Sequence, residues 1–237
     1  MSVAPSAMIL AAGRGERMRP LTDHTPKPLL HVGGKPLIVW HIERLRAAGF
    51  RHVVINHAHL GEQIEAALGD GAALGVAIDY SREASALETA GGIATALPLI
   101  RGEAFAVVNG DIYTDYDFGR LAEPLTWLAA GGDQAHLVMV DNPPQHPNGD
   151  FVLEDGRVKS GEQAAESSRL TFSGIGVYRR ALFADLRAGE KAPLAPLLRQ
   201  AMDAARVSGE HYSGRWTDVG TPARLAALDE ELRRHAA

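Results

Sequence analysis

A short apolar run, Ala7 to Leu10, passes without a break into Ala11-Ala12-Gly13-Arg14-Gly15, and no other junction constrains the fold so tightly. The run reads as a strand and the small residues as the loop at its carboxyl end. A loop so poor in Cβ atoms lets main-chain N–H groups close on an anion. Arg14, Arg17, Arg19 and Lys27 follow and supply the positive charge that a triphosphate needs. Prolines on both sides of Lys27 fix its direction. Two other phosphate loops fit less well. The third glycine of a dinucleotide fingerprint is missing after Gly13 and Gly15, and no run of the form G-x-x-x-x-G-K-[ST] occurs.

With 237 residues, 46% of them hydrophobic, the chain can bury one sizeable core. Its net charge of −5 argues against a general nucleic-acid binder. Zero cysteines exclude disulfides, thiolate metal sites and cysteine nucleophiles, and suit a reducing cytoplasm. The N-terminal apolar run stops at Gly13, too early for a signal-peptide core or a membrane span. These bounds lead us to expect a cytoplasmic enzyme with small-molecule partners, neither nucleic acid nor membrane.

Apolar runs then alternate with helical periodicities, the mark of βαβ units. The expected class is α/β, a Rossmann-like and mostly parallel sheet flanked by helices. Strands are expected at 7–10, 52–56, 76–80 and 104–109, with helices at 36–48, 62–68 and 92–99. From about Leu137 the runs shorten. Segments 137–140, 150–153, 157–160 and 170–178 read as strands separated by turn signals, with Asp155-Gly156 at a hairpin tip. They predict a small antiparallel lobe. A helix at 193–205, a strand at 211–218 and a final helix opened by Thr221-Pro222 complete the chain.

Two further motifs carry chemistry, Asn109-Gly110-Asp111 and Trp216-Thr-Asp218-Val-Gly-Thr-Pro222. Transfer at a phosphorus must offset the charge of a triphosphate and of a second phosphate brought beside it. A hard cation held by one or two carboxylates plus phosphate oxygens does this, so Asp111 and Asp218 are the acids expected on Mg²⁺. Either alone would read as a turn acid. Among ten histidines only His57-Ala-His59 invites a metal assignment. No further ligands stand at characteristic spacing, so the two read as hydrogen-bonded or solvated side chains.

Taken together, Leu10 to Leu29, Glu88-Thr-Ala-Gly-Gly92, Asn109-Gly-Asp111, Thr171-Phe-Ser-Gly174 and Trp216 to Pro222 resemble the signature of sugar-1-phosphate nucleotidyltransferases. Within that superfamily the short chain, with Leu87-Glu-Thr-Ala-Gly-Gly and Ser208-Gly-Glu-His-Tyr, most resembles the N-acetylmuramate 1-phosphate uridylyltransferases of cell-wall (peptidoglycan) recycling. The resemblance implies UTP and a sugar 1-phosphate as substrates, Mg²⁺ as cofactor, and in-line attack on the α-phosphorus. The same chemistry on mannose or heptose 1-phosphate with GTP is the nearest alternative. A non-catalytic nucleotide sensor on the same fold is the other.

The resemblance also distributes the roles. The nucleotide-binding part would span about 1–136, an acceptor-binding lobe 137–192 and a closing segment 193–237. Main-chain groups at Ala11, Ala12 and Gly13 would hold the nucleotide, Arg17 the leaving phosphates, and Lys27 the α-phosphate. Glu83 lies where relatives read the base edge, and Gly91 or Gly92 would let the base approach the backbone. A carboxylate there can accept the uracil N3–H or guanine donors, and an exposed loop glutamate is the bland alternative. Asn109, Asp150 and Glu162 are the candidates for the sugar, although Gln163 replaces a lysine that often follows Glu162 in relatives. The lactyl carboxylate of an N-acetylmuramate would need a cation or main-chain donors, with Arg157, Lys159, Arg179, Lys191 and His146 as possibilities.

Overall fold

The computed structural model describes residues 5–161 and 169–236. Its centre is one nine-stranded sheet. The first half of the chain lays down β1 (Ser6–Leu10), β4 (His52–His57), β5 (Ala77–Arg82) and β6 (Ala104–Asn109), paired in parallel in the order β5-β4-β1-β6. Connecting them are α1 (Leu37–Ala47), α2 (Gly61–Leu68) and α3 (Glu88–Ala96). Side chains alternate in these strands, and both faces are apolar. Ala7 and Ile9, Val53 and Ile55, and Ala106 and Val108 enter one core. Met8, Val54, Phe105 and Val107 enter the other. That period of two with both faces buried is what a sheet covered by helices requires.

One core is covered by α1 and α2, through Ile38, Ile42, Leu45, Ile64 and Leu68, and by α4 (Ala122–Ala130) through Leu125 and Leu128. On the opposite face pack α3 and α5 (Leu194–Asp203), with Ile93, Leu194, Leu198 and Met202 buried. Burying each such side chain contributes about 1.5–3 kcal/mol. Gly49, at φ 97°, closes α1 by allowing the Phe50 N–H to reach back to Leu45 O at 3.0 Å.

Beyond β6 the sheet continues with β11 (Arg169–Arg179), β8 (Ala135–Val140), β12 (Val207–Tyr212), β10 (Arg157–Lys159) and β9 (Phe151–Glu154). Antiparallel pairing enters through β11 and β10, while β8 and β12 run parallel to each other. The strands of the second half therefore extend the main sheet. Asp155 and Gly156, at φ 50° and 73°, form the tip of the β9–β10 hairpin as expected.

Several elements differ from the sequence expectation. Helix α3 starts at Glu88 rather than Gly92 and takes in Gly91 and Gly92, whose low helix propensity is overridden by their close packing. The strand expected at 211–218 is two strands. β12 ends at Tyr212, and β13 (Trp216–Asp218) leaves the main sheet to pair with β7 (Ile112–Thr114). Helix α4 was not anticipated. Its Pro124 lies in the first turn, where the missing N–H costs no helical bond. A two-residue ladder between β2 (His31–Val32) and β3 (Lys35–Pro36) is also new. The last helix, α6 (Pro222–Ala236), packs Leu228 and Leu232 with Val32, Leu37, Tyr113 and Val219 in a small third core. No helix among the described residues is long and apolar enough to cross a membrane.

Candidate active site

A cavity of about 370 Å³ opens at the carboxyl ends of β1 and β6. In open α/β sheets this is where ligands gather. Its walls include Ala11, Ala12 and Gly13 from the loop after β1, and Asn109 to Asp111 after β6. The loop is held from below by a buried polar relay. Asn56 Oδ1 accepts the Ala11 N–H at 3.0 Å, and Asn56 Nδ2 donates to Glu83 Oε1 at 2.6 Å. Glu83 Oε2 accepts the Leu87 N–H at 3.0 Å. Ala11 therefore directs its N–H at Asn56 and away from any ligand.

Glu83 is buried and does not line the cavity, because both its oxygens face protein donors. The two glycines expected beside a base are buried inside α3 as well. A Cβ at Gly91 would collide with the carbonyl of Glu190, and one at Gly92 would lie 2.8 Å from both Asn56 Nδ2 and Glu83 Oε1. Their smallness serves close packing at this point. The cavity wall here includes Asn56, which has no role on sequence grounds, and Glu88 and Thr89, which stand in the Glu88-to-Gly92 motif without a role of their own. Asn56 stands near the carboxyl end of β4, where a polar side chain after Val53-Val-Ile55 signals a site. Glu88 takes φ 60°, a strained backbone for a residue with a Cβ.

The four cations expected around the loop divide. Arg14 pairs with Glu16 at 2.7 Å and Arg19 with Asp23 at 2.7 Å, both on the surface. Arg17 and Lys27 line the cavity. Arg17 is exposed on its rim, whereas Lys27 is buried, with Nζ 2.8 Å from Asp111 Oδ2. Gly15, at φ 70°, makes room for this lysine, since a Cβ there would stand 3.0 Å from Thr22 and 3.4 Å from Lys27.

Asp111 and Asp218 meet through β7 and β13. Asp218 pairs with Ile112, and the Val219 N–H donates to Asp111 O at 2.8 Å. Asp111 lines the cavity. Asp218 lies beside it, next to Gly220, and pairs with Arg224 at 3.1 Å. Under this ladder the imidazole of His41 donates to Ile112 O at 2.8 Å, and burial drives its pKa down to about 4. Among the described residues no group of three or more His, Cys, Asp or Glu side chains could hold a metal. Two carboxylates with open positions left for phosphate oxygens are a donor set that suits Mg²⁺ bound together with a nucleotide. His57 and His59 go separate ways, to Glu65 at 2.7 Å and to Thr22 O at 3.2 Å.

Asn109, expected at the sugar, lines the cavity and faces Gly174, where an added Cβ would lie 2.6 Å from its Nδ2. The register of β11 on β8 shifts between Phe172 and Ile175 at this close approach, and Trp216 Nε1 donates to Ser173 O at 2.8 Å. Asp150 stands off the cavity wall. It accepts from Phe172 N at 2.8 Å and pairs with His146 at 3.0 Å, so it ties the 141–150 loop to β11. Glu162 lies outside the described residues. Of the cations considered for a sugar carboxylate, Arg157 is held by both oxygens of Asp133, and Lys159 by Glu154.

Comparison with known proteins gives three results. Residues 6–235 match the family of nucleotidyl transferases. The N-acetylmuramate alpha-1-phosphate uridylyltransferase of Neisseria meningitidis serogroup B is 58% identical, covering 92% of this chain and 94% of that one. An enzyme of the same name from Caulobacter vibrioides is 35% identical, covering 96% and 97%. Among solved structures, a putative glucose-1-phosphate thymidylyltransferase from Bacillus anthracis superposes with a TM-score of 0.82 over 96% of this chain and 95% of that one, at 22% identity. That last likeness speaks for the α/β fold.

Proposed function

Because the chain belongs to the nucleotidyl transferase family, we propose that it transfers uridylyl from UTP to N-acetylmuramate 1-phosphate, forming UDP-N-acetylmuramate and pyrophosphate. What carries this reading is the 58% identity to the Neisseria uridylyltransferase across nearly the whole of both chains. Such a product would serve cell-wall recycling.

In the reaction, an oxygen of the sugar phosphate attacks the α-phosphorus of UTP in line. A bond from phosphorus to that oxygen forms, the bond to the bridging oxygen of the β-phosphate breaks, and pyrophosphate leaves with the electron pair. No covalent intermediate is needed, so positioning and electrostatics provide the rate. Lys27, buried at the cavity wall, would face the charge that builds up at the α-phosphorus. Arg17, exposed on the rim, would grip the β- and γ-phosphates as they depart. The loop from Ala11 to Gly13 would lie against the nucleotide, with Asn56 keeping it in place. Asp111 and Asp218 would hold Mg²⁺, which when bound offsets phosphate charge. Asn109 would meet the sugar, and Asp150 would shape the loop above it.

The experiment is a pyrophosphate-release assay with UTP, GTP and dTTP, each against N-acetylmuramate, N-acetylglucosamine and mannose 1-phosphates. Turnover should be highest for UTP with N-acetylmuramate 1-phosphate. Comparable rates on all three sugars, or a preference for mannose 1-phosphate with GTP, would overturn the substrate assignment.

A further inference from the structure

Each of the two site carboxylates is already matched by a cation of the chain itself. Lys27 Nζ lies 2.8 Å from Asp111 Oδ2, with the lysine side chain only 8% exposed. Arg224 Nη2 lies 3.1 Å from Asp218 Oδ2, with the two side chains 21% and 24% exposed. The cations arrive from opposite ends of the sequence, one from the turn at Lys27–Leu29 and the other from the first turn of α6. Two independent segments thus converge on the same arrangement.

The second pair has an unusual feature. A guanidinium facing a carboxylate commonly forms two parallel N–H···O bonds. In Arg224, Nε and Nη2 are buried and find no hydrogen-bond acceptor among the described residues. The contact with Asp218 is one of charge alone, and two strong donors stay unmatched. Nη2 sits at Gly220, a wall of the cavity, where an added Cβ would lie 2.6 Å from Asp218 Oδ1 and 3.1 Å from Arg17 Nη2. A phosphate on Arg17 would be within reach of the same corner.

We propose that Lys27 and Arg224 are resident counter-cations of Asp111 and Asp218. They occupy the two carboxylates in the free protein and leave them for phosphate oxygens when nucleotide arrives. The inference rests on the reading of Asp111 and Asp218 as metal ligands. A doubly charged ion and a basic side chain within hydrogen-bond distance of one carboxylate repel each other. The free protein therefore binds a divalent cation weakly. Nucleotide, by drawing both basic groups away, opens the site to the metal. By linkage the metal strengthens nucleotide binding to the same degree. Arg224 then becomes a third cation for the triphosphate, beside Lys27 and Arg17.

The test measures Mn²⁺ binding to the full chain by electron paramagnetic resonance, without nucleotide. Lys27→Met and Arg224→Met should each bind Mn²⁺ at least about tenfold more tightly than the wild type. Arg19→Met, which removes a nearby surface cation from Asp23, should leave Mn²⁺ affinity unchanged. Adding Asp111→Asn to Lys27→Met should cancel the gain. Circular dichroism reports whether the buried Lys27→Met chain folds, and the more exposed Arg224→Met variant is an independent arm. Equal Mn²⁺ affinity in wild type, Lys27→Met and Arg224→Met overturns the proposal, as does an equal gain in Arg19→Met. A separate arm titrates Mn²⁺ in the presence of UTP. If Asp111→Asn and Asp218→Asn then bind it as well as wild type, the metal reading itself falls and takes the proposal with it.

Discussion

The ring of His41 and the carbonyl of Ile112, 71 positions apart, form a 2.8 Å hydrogen bond directly beneath the ladder that joins Asp111 to Asp218. The donor must be a neutral imidazole with its proton on Nε2, since burial lowers the pKa from 6.5 to about 4. Below pH 6.5 the unfolded chain takes up a proton that the folded one refuses. Stability is therefore complete above about pH 6.5 and declines as the pH falls toward 4. The difference corresponds to roughly 3 kcal/mol. His41→Gln has no such proton to gain. Urea unfolding of the ligand-free protein at pH 7 and pH 5 should show a smaller acid loss in the variant, and identical losses would refute the assignment.

Neutralising either site carboxylate should remove turnover and keep the fold. Asp111→Asn and Asp218→Asn are expected to lose at least ~10² in kcat at saturating Mg²⁺ and UTP, the scale for one group in a pre-organised electrostatic site. Near-normal kcat in Asp111→Asn would count decisively against its role.

The two cavity cations should separate kinetically. Lys27→Ala should act mainly on kcat, because the charge on the α-phosphate oxygens it turns to grows further in the transition state. Arg17→Ala should also raise the KM for UTP, since it touches phosphates that are charged from the outset. An Arg17→Ala variant with both constants unchanged would show that the triphosphate lies elsewhere.

The relay from Glu83 through Asn56 to Ala11 should be felt in stability and in nucleotide binding together. Asn56→Ala strips a partner from a buried carboxylate and from a main-chain N–H, at a cost of about 1–3 kcal/mol for each group left unmatched. Gly92→Ala drives a methyl to 2.8 Å from both members and should mimic it. Denaturant midpoints and the KM for UTP are the measurements. Normal UTP binding in both variants would mean that the loop keeps its shape without the relay.

Asp150→Ala should raise the KM for the sugar phosphate and leave that for UTP almost unchanged. Its oxygens tie the 141–150 loop to β11 and brace it internally through His146, next to where the sugar phosphate is proposed to sit. An equal rise for both substrates would place the loop over the nucleotide instead.

The strand-to-glycine junction was legible in the sequence because apolar runs and small residues act locally. So were α1, closed by Gly49, and the Asp155-Gly156 hairpin. What escaped was decided at a distance. Nothing local marks Glu83 as buried, since its partners Asn56 and Leu87 come together only when β4, β5 and α3 are packed. Gly91 and Gly92 looked like a gap for a ligand, yet the neighbours that fill it come from residue 190 and from Asn56. The split of the last expected strand followed from which partner was free. β8 takes Val207–Tyr212, and β7 draws Trp216–Asp218 away. Arg14 and Arg19 carried the charge expected of them, but acids within four residues claim both.

Strand β11 pairs with β6 and β8 along Thr171–Arg179 and with β9 at Arg169 and Leu170. A chain severed near residue 136 would leave the edge of β6 bare, an invitation to misassembly. Residues 1–136 and the strands that follow therefore share one sheet with no seam between them, and neither half is a cassette that can be exchanged without exposing strand edges. The loops at the strand ends can change with the shared sheet left intact.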